Sequence, residues 1–233
     1  MSDASIATVY IQALALGIAP EWRRRDTAPG ERKHDVDTFL AAERAAADDG
    51  VQSTLYSSVG LEPATDIVLW RSAASVEALE SAAARLLRSG LGTWCTVRHS
   101  FLGRIAASQY VVKPSEQESG LAGGERSRYL IVYPFTKSTD WYLLSREARQ
   151  GVMNEHMKVG RDYPSVRQAL AYSFGLDDQD FVVAYETDDL GAFGALVRDL
   201  RGSESRRATI NDTPILLGIH RPMDEILALL GAP

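Results

Sequence analysis

The sequence predicts an α+β chain of two tandem ferredoxin-like repeats that join as a dimeric α+β barrel within one polypeptide. Three observations predict it. Strand-like runs and helical stripes alternate in the order β-α-β-β-α-β, and that order occurs twice along 233 residues. Gly60-Leu61 and Gly175-Leu176 stand 115 residues apart, and so do Trp70 and Tyr185, each ending the next strand. A polar, Gly-rich run from Lys113 to Arg128 separates the halves and reads as a connector or a lid. The expected organisation is therefore a first repeat over 1–112, a linker over 113–128 and a second repeat over 129–233.

Each element has its own signal. Ile6 to Leu16 is β-branched and apolar, a strand. Asp35 is placed to cap a helix with Val36, Phe39 and Leu40 on one face, and the triplet Arg23, Arg24 and Arg25 before it reads as a solvated turn. Gln52 to Ser58 and Asp66 to Trp70 are strands joined by a Gly60-Leu-Glu-Pro turn. Ser75 caps a helix striped by Val76, Leu79, Ala83 and Leu86, and Trp94 to Phe101 closes the repeat. In the second half, Tyr129 to Phe135 is a strand and Ser145 caps a helix running towards Met157. Val166 to Phe174 and Asp180 to Tyr185 form the next strand pair. A helix from Asp188 carries Leu190, Phe193, Val197 and Leu200, and Thr213 to Ile219 is the last strand.

Composition narrows the function classes. The chain is 45% hydrophobic and 24% charged, with net charge -6, so a general nucleic-acid binder is not expected. The single cysteine, Cys95, lies in an apolar stretch and reads as a small core residue, since one thiol builds neither a disulfide framework nor a zinc centre. No run reaches the ~18 apolar residues of a membrane span. The N-terminal residues show no basic stretch followed by an apolar core, and the expected location is the cytoplasm.

Few residues carry chemistry. None of His34, His99, His156 and His220 has a metal-type spacing to another. His156 shares a helical stripe with Ala148, Val152 and Val159, which aims a titratable ring at the core. It reads either as a hydrogen-bonded core histidine or as a single axial ligand, because a haem needs one protein nitrogen on one side. Tyr133 ends an apolar run and Lys137 follows four residues later, a pair suited to redox chemistry or an anionic substrate, and equally to packing with a snorkelling lysine. Trp141 reads as a core aromatic. Gln168 interrupts the face formed by Val166, Leu170, Tyr172 and Phe174, and Arg167 takes the other face. The acidic pairs Asp177-Asp178 and Asp188-Asp189 suit turns and caps. No phosphate loop and no G-x-S-x-G elbow is present.

The run Tyr129-Leu-Ile-Val-Tyr-Pro-Phe-Thr-Lys137, followed by Asp140-Trp-Tyr-Leu-Leu144 and Arg149 to His156, resembles the central signature of coproheme decarboxylases. Gly175-Leu-Asp-Asp-Gln-Asp-Phe181, Glu186-Thr-Asp-Asp-Leu190 and Leu216-Leu-Gly-Ile-His220 resemble chlorite dismutases, the same superfamily. The resemblance implies a homopentamer with a haem-type cofactor, haem b or iron coproporphyrin III, in the second repeat. It implies His156 as the proximal iron ligand, Tyr133 as the tyrosine oxidised in decarboxylation and Lys137 as a propionate holder. Trp141 and Arg201 fall on further positions of the signature. The distal position falls on Gln168, as in decarboxylases, with Arg167 beside it, as chlorite dismutases would require. Glu116 stands where some decarboxylases have a distal histidine, and Ser115 where others have a propionate-binding arginine. Ser203 or Ser205 is the candidate propionate-binding serine. The implied activity is hydrogen-peroxide-dependent oxidative decarboxylation of iron coproporphyrin III to haem b. The alternatives are chlorite conversion to chloride and oxygen by a haem b enzyme, or haem binding without catalysis.

Overall fold

The computed structural model describes residues 8–26, 28–106, 110 and 125–231. The chain divides into two compact units, Met1–Ile105 with Gly218–Pro233, and Ala106–Leu217. Both are mixed α+β with antiparallel strands.

In the first unit, β1 (Val9–Ile18) leads through α1 (Pro20–Arg24) and α2 (Pro29–Arg44) to the hairpin of β2 (Gln52–Glu62) and β3 (Thr65–Ala73). Then α3 (Val76–Arg88) and β4 (Cys95–Ile105) follow, and the strands lie in the order β4-β1-β3-β2. Leu14, Leu16 and Ile18 of β1, with Ile67 and Leu69 of β3, pack under Trp22, Phe39 and Leu86 of the helices. The Ser75 hydroxyl accepts the N–H of Ala78 and starts α3, as its sequence predicts. Asp35 does not cap a helix. It sits inside α2, where its carboxylate accepts Trp22 Nε1–H at 3.0 Å and pairs with Arg25. A capping signal and a mid-helix anchor look alike in sequence when the partner is distant. The arginine triplet is likewise not a plain turn, because Arg23 and Arg24 end α1. Cys95 donates weakly to Leu91 O at 3.5 Å, and burial pushes its thiol up to about 12, an inert core thiol.

The second unit runs β5 (Tyr129–Lys137), α4 (Thr139–Leu143), α5 (Arg146–Arg161), β6 (Arg167–Tyr172), β7 (Phe181–Thr187), α6 (Leu190–Arg201), a 3-10 turn (Glu204–Ala208) and β8 (Thr209–Asn211). Its strands lie in the order β6-β7-β5-β8, so β5 takes the place that β1 takes in the first unit. Ser138, Ser145 and Asp189 cap α4, α5 and α6 through their side-chain oxygens, the last one residue later than the sequence suggests. Gly60 and Gly175 both adopt left-handed backbone, φ 72° and 71°, which is why both turns need glycine. The matching of Trp70 with Tyr185 does not extend to their side chains. Trp70 lies opposite Ala13, on the face away from α2 and α3, whereas Tyr185 packs with Phe193 and Leu196 of α6. A one-residue offset reverses every side chain of a strand.

The strand expected over Thr213 to Ile219 is found from Leu216 onwards, and a separate short strand, β8, which the sequence reading lacks, precedes it. Asn211 Oδ1 accepts from the Thr213 N–H (3.3 Å) and hydroxyl (3.0 Å), and Pro214 has no N–H for a ladder, so β8 stops at Asn211. β9 (Leu216–His220) begins after it, with Ile219 and His220 pairing to Ser57 and Tyr56 of β2. The helix α7 (Met223–Leu229), absent from the sequence reading, adds Met223, Ile226 and Leu227 to the core of the first unit.

Candidate active site

Every candidate residue among the described ones lies in the second unit, and strand register sets the first of them. Gln168 of β6 stands opposite Tyr185 of β7, which stands opposite Ile131 of β5. One step along, Leu170, Val183 and Tyr133 form the next row, then Tyr172, Phe181 and Phe135. All nine side chains share one face, because residues directly opposite across a ladder point the same way. Val159 of α5 and Phe193, Leu196 and Leu200 of α6 pack over it. The cover is incomplete: Leu170, in the middle row, remains 43% exposed.

Arg167 occupies the opposite face. Its Nη2 reaches Glu186 Oε2 at 2.7 Å, Glu125 O at 2.8 Å and Ser127 Oγ at 3.1 Å, and Glu186 is 0% exposed. A buried carboxylate needs that cation, so Arg167 is committed there. Gln168 and not Arg167 therefore shares a face with Tyr133.

His156 is half-buried on α5, and its Nδ1 lies 3.1 Å from Ser205 Oγ. Nε2 has no hydrogen-bond partner among the described residues. Burial, then the nearby Lys137 charge, hold the ring down to about 4, against a smaller pull from Glu155. At neutral pH the imidazole is uncharged, with one nitrogen engaged and one available. No group of three His, Cys, Asp or Glu suited to a metal ion occurs among the described residues.

Lys137 ends β5 and reaches the same turn. Its ammonium donates to Ser205 O at 3.0 Å and lies 5.1 Å from the Phe135 ring centre and 4.7 Å from that of Trp141. Burial, with the Arg206 charge second, lowers it to about 8. Trp141 is only 4% exposed and acts as the floor beneath this cation. Ser205 thus ties Lys137 and His156 together, its carbonyl to one and its hydroxyl to the other.

Tyr133 stacks on Tyr185 with ring centres 6.1 Å apart, and the two phenol groups interact. Burial holds the Tyr133 phenol well above its ordinary value. Arg201, exposed at the end of α6, lies close enough for its charge to oppose that rise. Tyr133 is thereby kept protonated, the form that can surrender a hydrogen atom.

Ser203 and Ser205, the candidate propionate-binding serines, are buried and hydrogen-bonded to each other, and Ser205 also to His156. Tyr185, a strand end in sequence, stands beside both Tyr133 and Gln168, which only the pairing of β7 with β5 and β6 reveals. Glu116 and Ser115 lie outside the described residues, as does the linker up to residue 124.

These residues fit an iron porphyrin. One neutral imidazole keeps a nitrogen free, an incompletely covered apolar surface stands on the facing sheet, and a half-buried ammonium with donors to spare lies near the ring.

A chlorite dismutase family model matches residues 31–221. A coproheme decarboxylase of Mycolicibacterium smegmatis is 32% identical over 217 residues, covering 87% of this chain and 90% of the relative. A chlorite dismutase of Ideonella dechloratans is 28% identical, covering 96% and 80%. Among solved structures, a mutant chlorite dismutase of Candidatus Nitrospira defluvii superposes with TM-score 0.86 at 26% identity, covering 95% of this chain and 94% of that one. The same organism's enzyme in complex with imidazole gives TM-score 0.85 at 26% identity over the same shares.

Proposed function

This chain belongs to the chlorite dismutase family, and on that premise we propose that it decarboxylates iron coproporphyrin III to haem b with hydrogen peroxide. The observation that carries this reading over chlorite conversion is the shared face of Tyr133 and Gln168, with Arg167 turned away into Glu186. Identity to the decarboxylase relative is also higher than to the chlorite dismutase, 32% against 28%.

The porphyrin, haem b as product or iron coproporphyrin III as substrate, brings the oxidising iron itself, so no second cofactor is required. Each propionate gives up carbon dioxide, a proton and two electrons to become a vinyl group, while one peroxide takes up those two electrons and two protons, one of them from solvent, to give two waters. His156 binds the substrate iron through Nε2. Tyr133 relays the oxidation: its phenol loses an electron and its proton, then recovers a hydrogen atom from the propionate carbon that becomes part of the vinyl group. Tyr185 stacks on Tyr133 and helps hold that ring in place. Lys137 draws a propionate carboxylate by a charge-assisted hydrogen bond, which it can do while still bonded to Ser205, because an ammonium has three donors. Gln168 offers an uncharged amide on the facing sheet, and Arg201 is a second cation for carboxylates at the margin.

The reading includes two ferredoxin-like repeats closed as a barrel, with the porphyrin in the repeat from 129 to 233, and a homopentamer in the cytoplasm. No described helix is long and apolar enough to cross a membrane.

The test follows porphyrin mass after peroxide addition to protein loaded with iron coproporphyrin III. Two successive losses of one carboxyl group each are expected. Tyr133→Phe should keep the iron spectrum and lose both steps, and His156→Ala should lose the protein ligand of the iron. An unchanged porphyrin mass with oxygen released from chlorite would replace this reading with the dismutase one.

A further inference from the structure

Hydrogen-bond wiring behind His156 sets its proton before any iron arrives. Ser203 Oγ lies 2.7 Å from Leu200 O, and a carbonyl only accepts, so the one hydroxyl proton of Ser203 goes there. Ser203 Oγ also lies 2.9 Å from Ser205 Oγ, and the proton between them must then come from Ser205. With that proton committed, Ser205 Oγ can only accept at its 3.1 Å contact with His156 Nδ1. The ring nitrogen has to supply the hydrogen. Starting from one carbonyl, elimination places the imidazole proton on Nδ1 and leaves Nε2 bare. Free histidine prefers the opposite tautomer, so the arrangement acts against the intrinsic preference. Ser203 and Ser205 are 6% and 4% exposed, which keeps competing water from the chain of bonds.

The acceptor is also uncharged. A carboxylate in that place would draw the Nδ1 proton and make Nε2 a stronger donor to a metal. The carboxylate of the adjacent Glu155 accepts instead from the backbone N–H of Glu204 at 3.2 Å. On the other side of the same turn, the Lys137 ammonium is bonded to Ser205 O. The ring therefore faces a neutral hydroxyl, which lends the metal-binding nitrogen less electron density than a carboxylate would, and a cation, which withdraws it.

We propose that Ser205, oriented by Ser203 and the Leu200 carbonyl, is a positioning residue that presets His156 as the Nδ1–H tautomer and keeps its bond to the porphyrin iron weak. This rests on the assignment of His156 as the iron ligand. A weak bond suits a site where the porphyrin enters as substrate and must leave as product.

The test has two arms. In the porphyrin-free protein, ¹⁵N shifts of the His156 ring should report the Nδ1–H tautomer, and Ser205→Ala and Ser203→Ala should each move it towards Nε2–H. In protein loaded with haem b and reduced, Ser205→Asp should raise the iron–imidazole stretching frequency and lower the reduction potential. It should also slow haem transfer to apomyoglobin, while Ser205→Thr restores the original frequency. An Nε2–H tautomer in the unaltered porphyrin-free protein overturns the proposal. So does a Ser205→Asp protein with the frequency and potential of the original, and should that variant fail to fold, Ser205→Ala with an unmoved tautomer decides the matter in the same direction. If the Nδ1–H tautomer is found but His156→Ala leaves the spectrum of the bound iron unchanged, the ligand assignment falls and the wiring stands.

Discussion

Lys137 carries a charge under two opposing pressures. Burial and Arg206 bring it to about 8, whereas a bound carboxylate favours the protonated form. Below pH 8 the ammonium is already present when a propionate arrives. Above it, binding must also take up a proton, so affinity falls with rising pH, by up to about tenfold per unit. Titration of ligand-free protein with iron coproporphyrin III between pH 7 and 9.5 measures this. Lys137→Met should bind more weakly at pH 7 and lose the decline above pH 8. Lysine was legible as a candidate because it follows Tyr133 by four residues. Its proximity to the carbonyl of Ser205 was not, since 68 residues separate them.

At the scale of elements, the β6–β7 ladder does two jobs with opposite faces. One face presents Gln168 and Tyr185 with Tyr133, and the other clamps Glu186 with Arg167 and, at 3.8 Å, Arg126. Removing the carboxylate takes away the buried counter-charge that Arg167 and Arg126 share. Glu186→Ala should cost about 3 kcal/mol, the low end for breaking a buried pair because both arginines keep some water contact. Urea unfolding would check it, and adding Arg167→Met to that variant should recover part of the loss. The elements themselves were mostly readable. Ser75 and Ser145 start helices as their sequences predict, since a serine before an apolar stripe acts locally. Asp35 misled for the complementary reason: its partners Trp22 and Arg25 lie on another helix and the turn after it.

For the molecule as a whole, relatives of both activities align along nearly the full chain, so the family is a property of the entire sequence and the reaction a property of a few positions. The proposed pentamer predicts a solution mass of five times the 25.5 kDa chain, measurable by light scattering, and a chain that remains monomeric would remove it. Exposed Tyr142, Leu143, Leu144 and Phe174 supply apolar surface of the kind that subunit contacts cover, with Tyr142 and Phe174 in edge-to-face contact at 5.9 Å.

Local chemistry was enough to determine from sequence the order of the long strands and helices, the glycine turns at 60 and 175, most caps, and the set of residues worth suspecting. Each depends on neighbours within a few positions. Tertiary structure alone decided that Arg167 belongs to Glu186, that Tyr185 joins Tyr133 and Gln168, and that two serines and a carbonyl fix the proton of His156. Those outcomes depend on strand register and on contacts tens of residues apart, and a chain read in one dimension carries no distance between such groups.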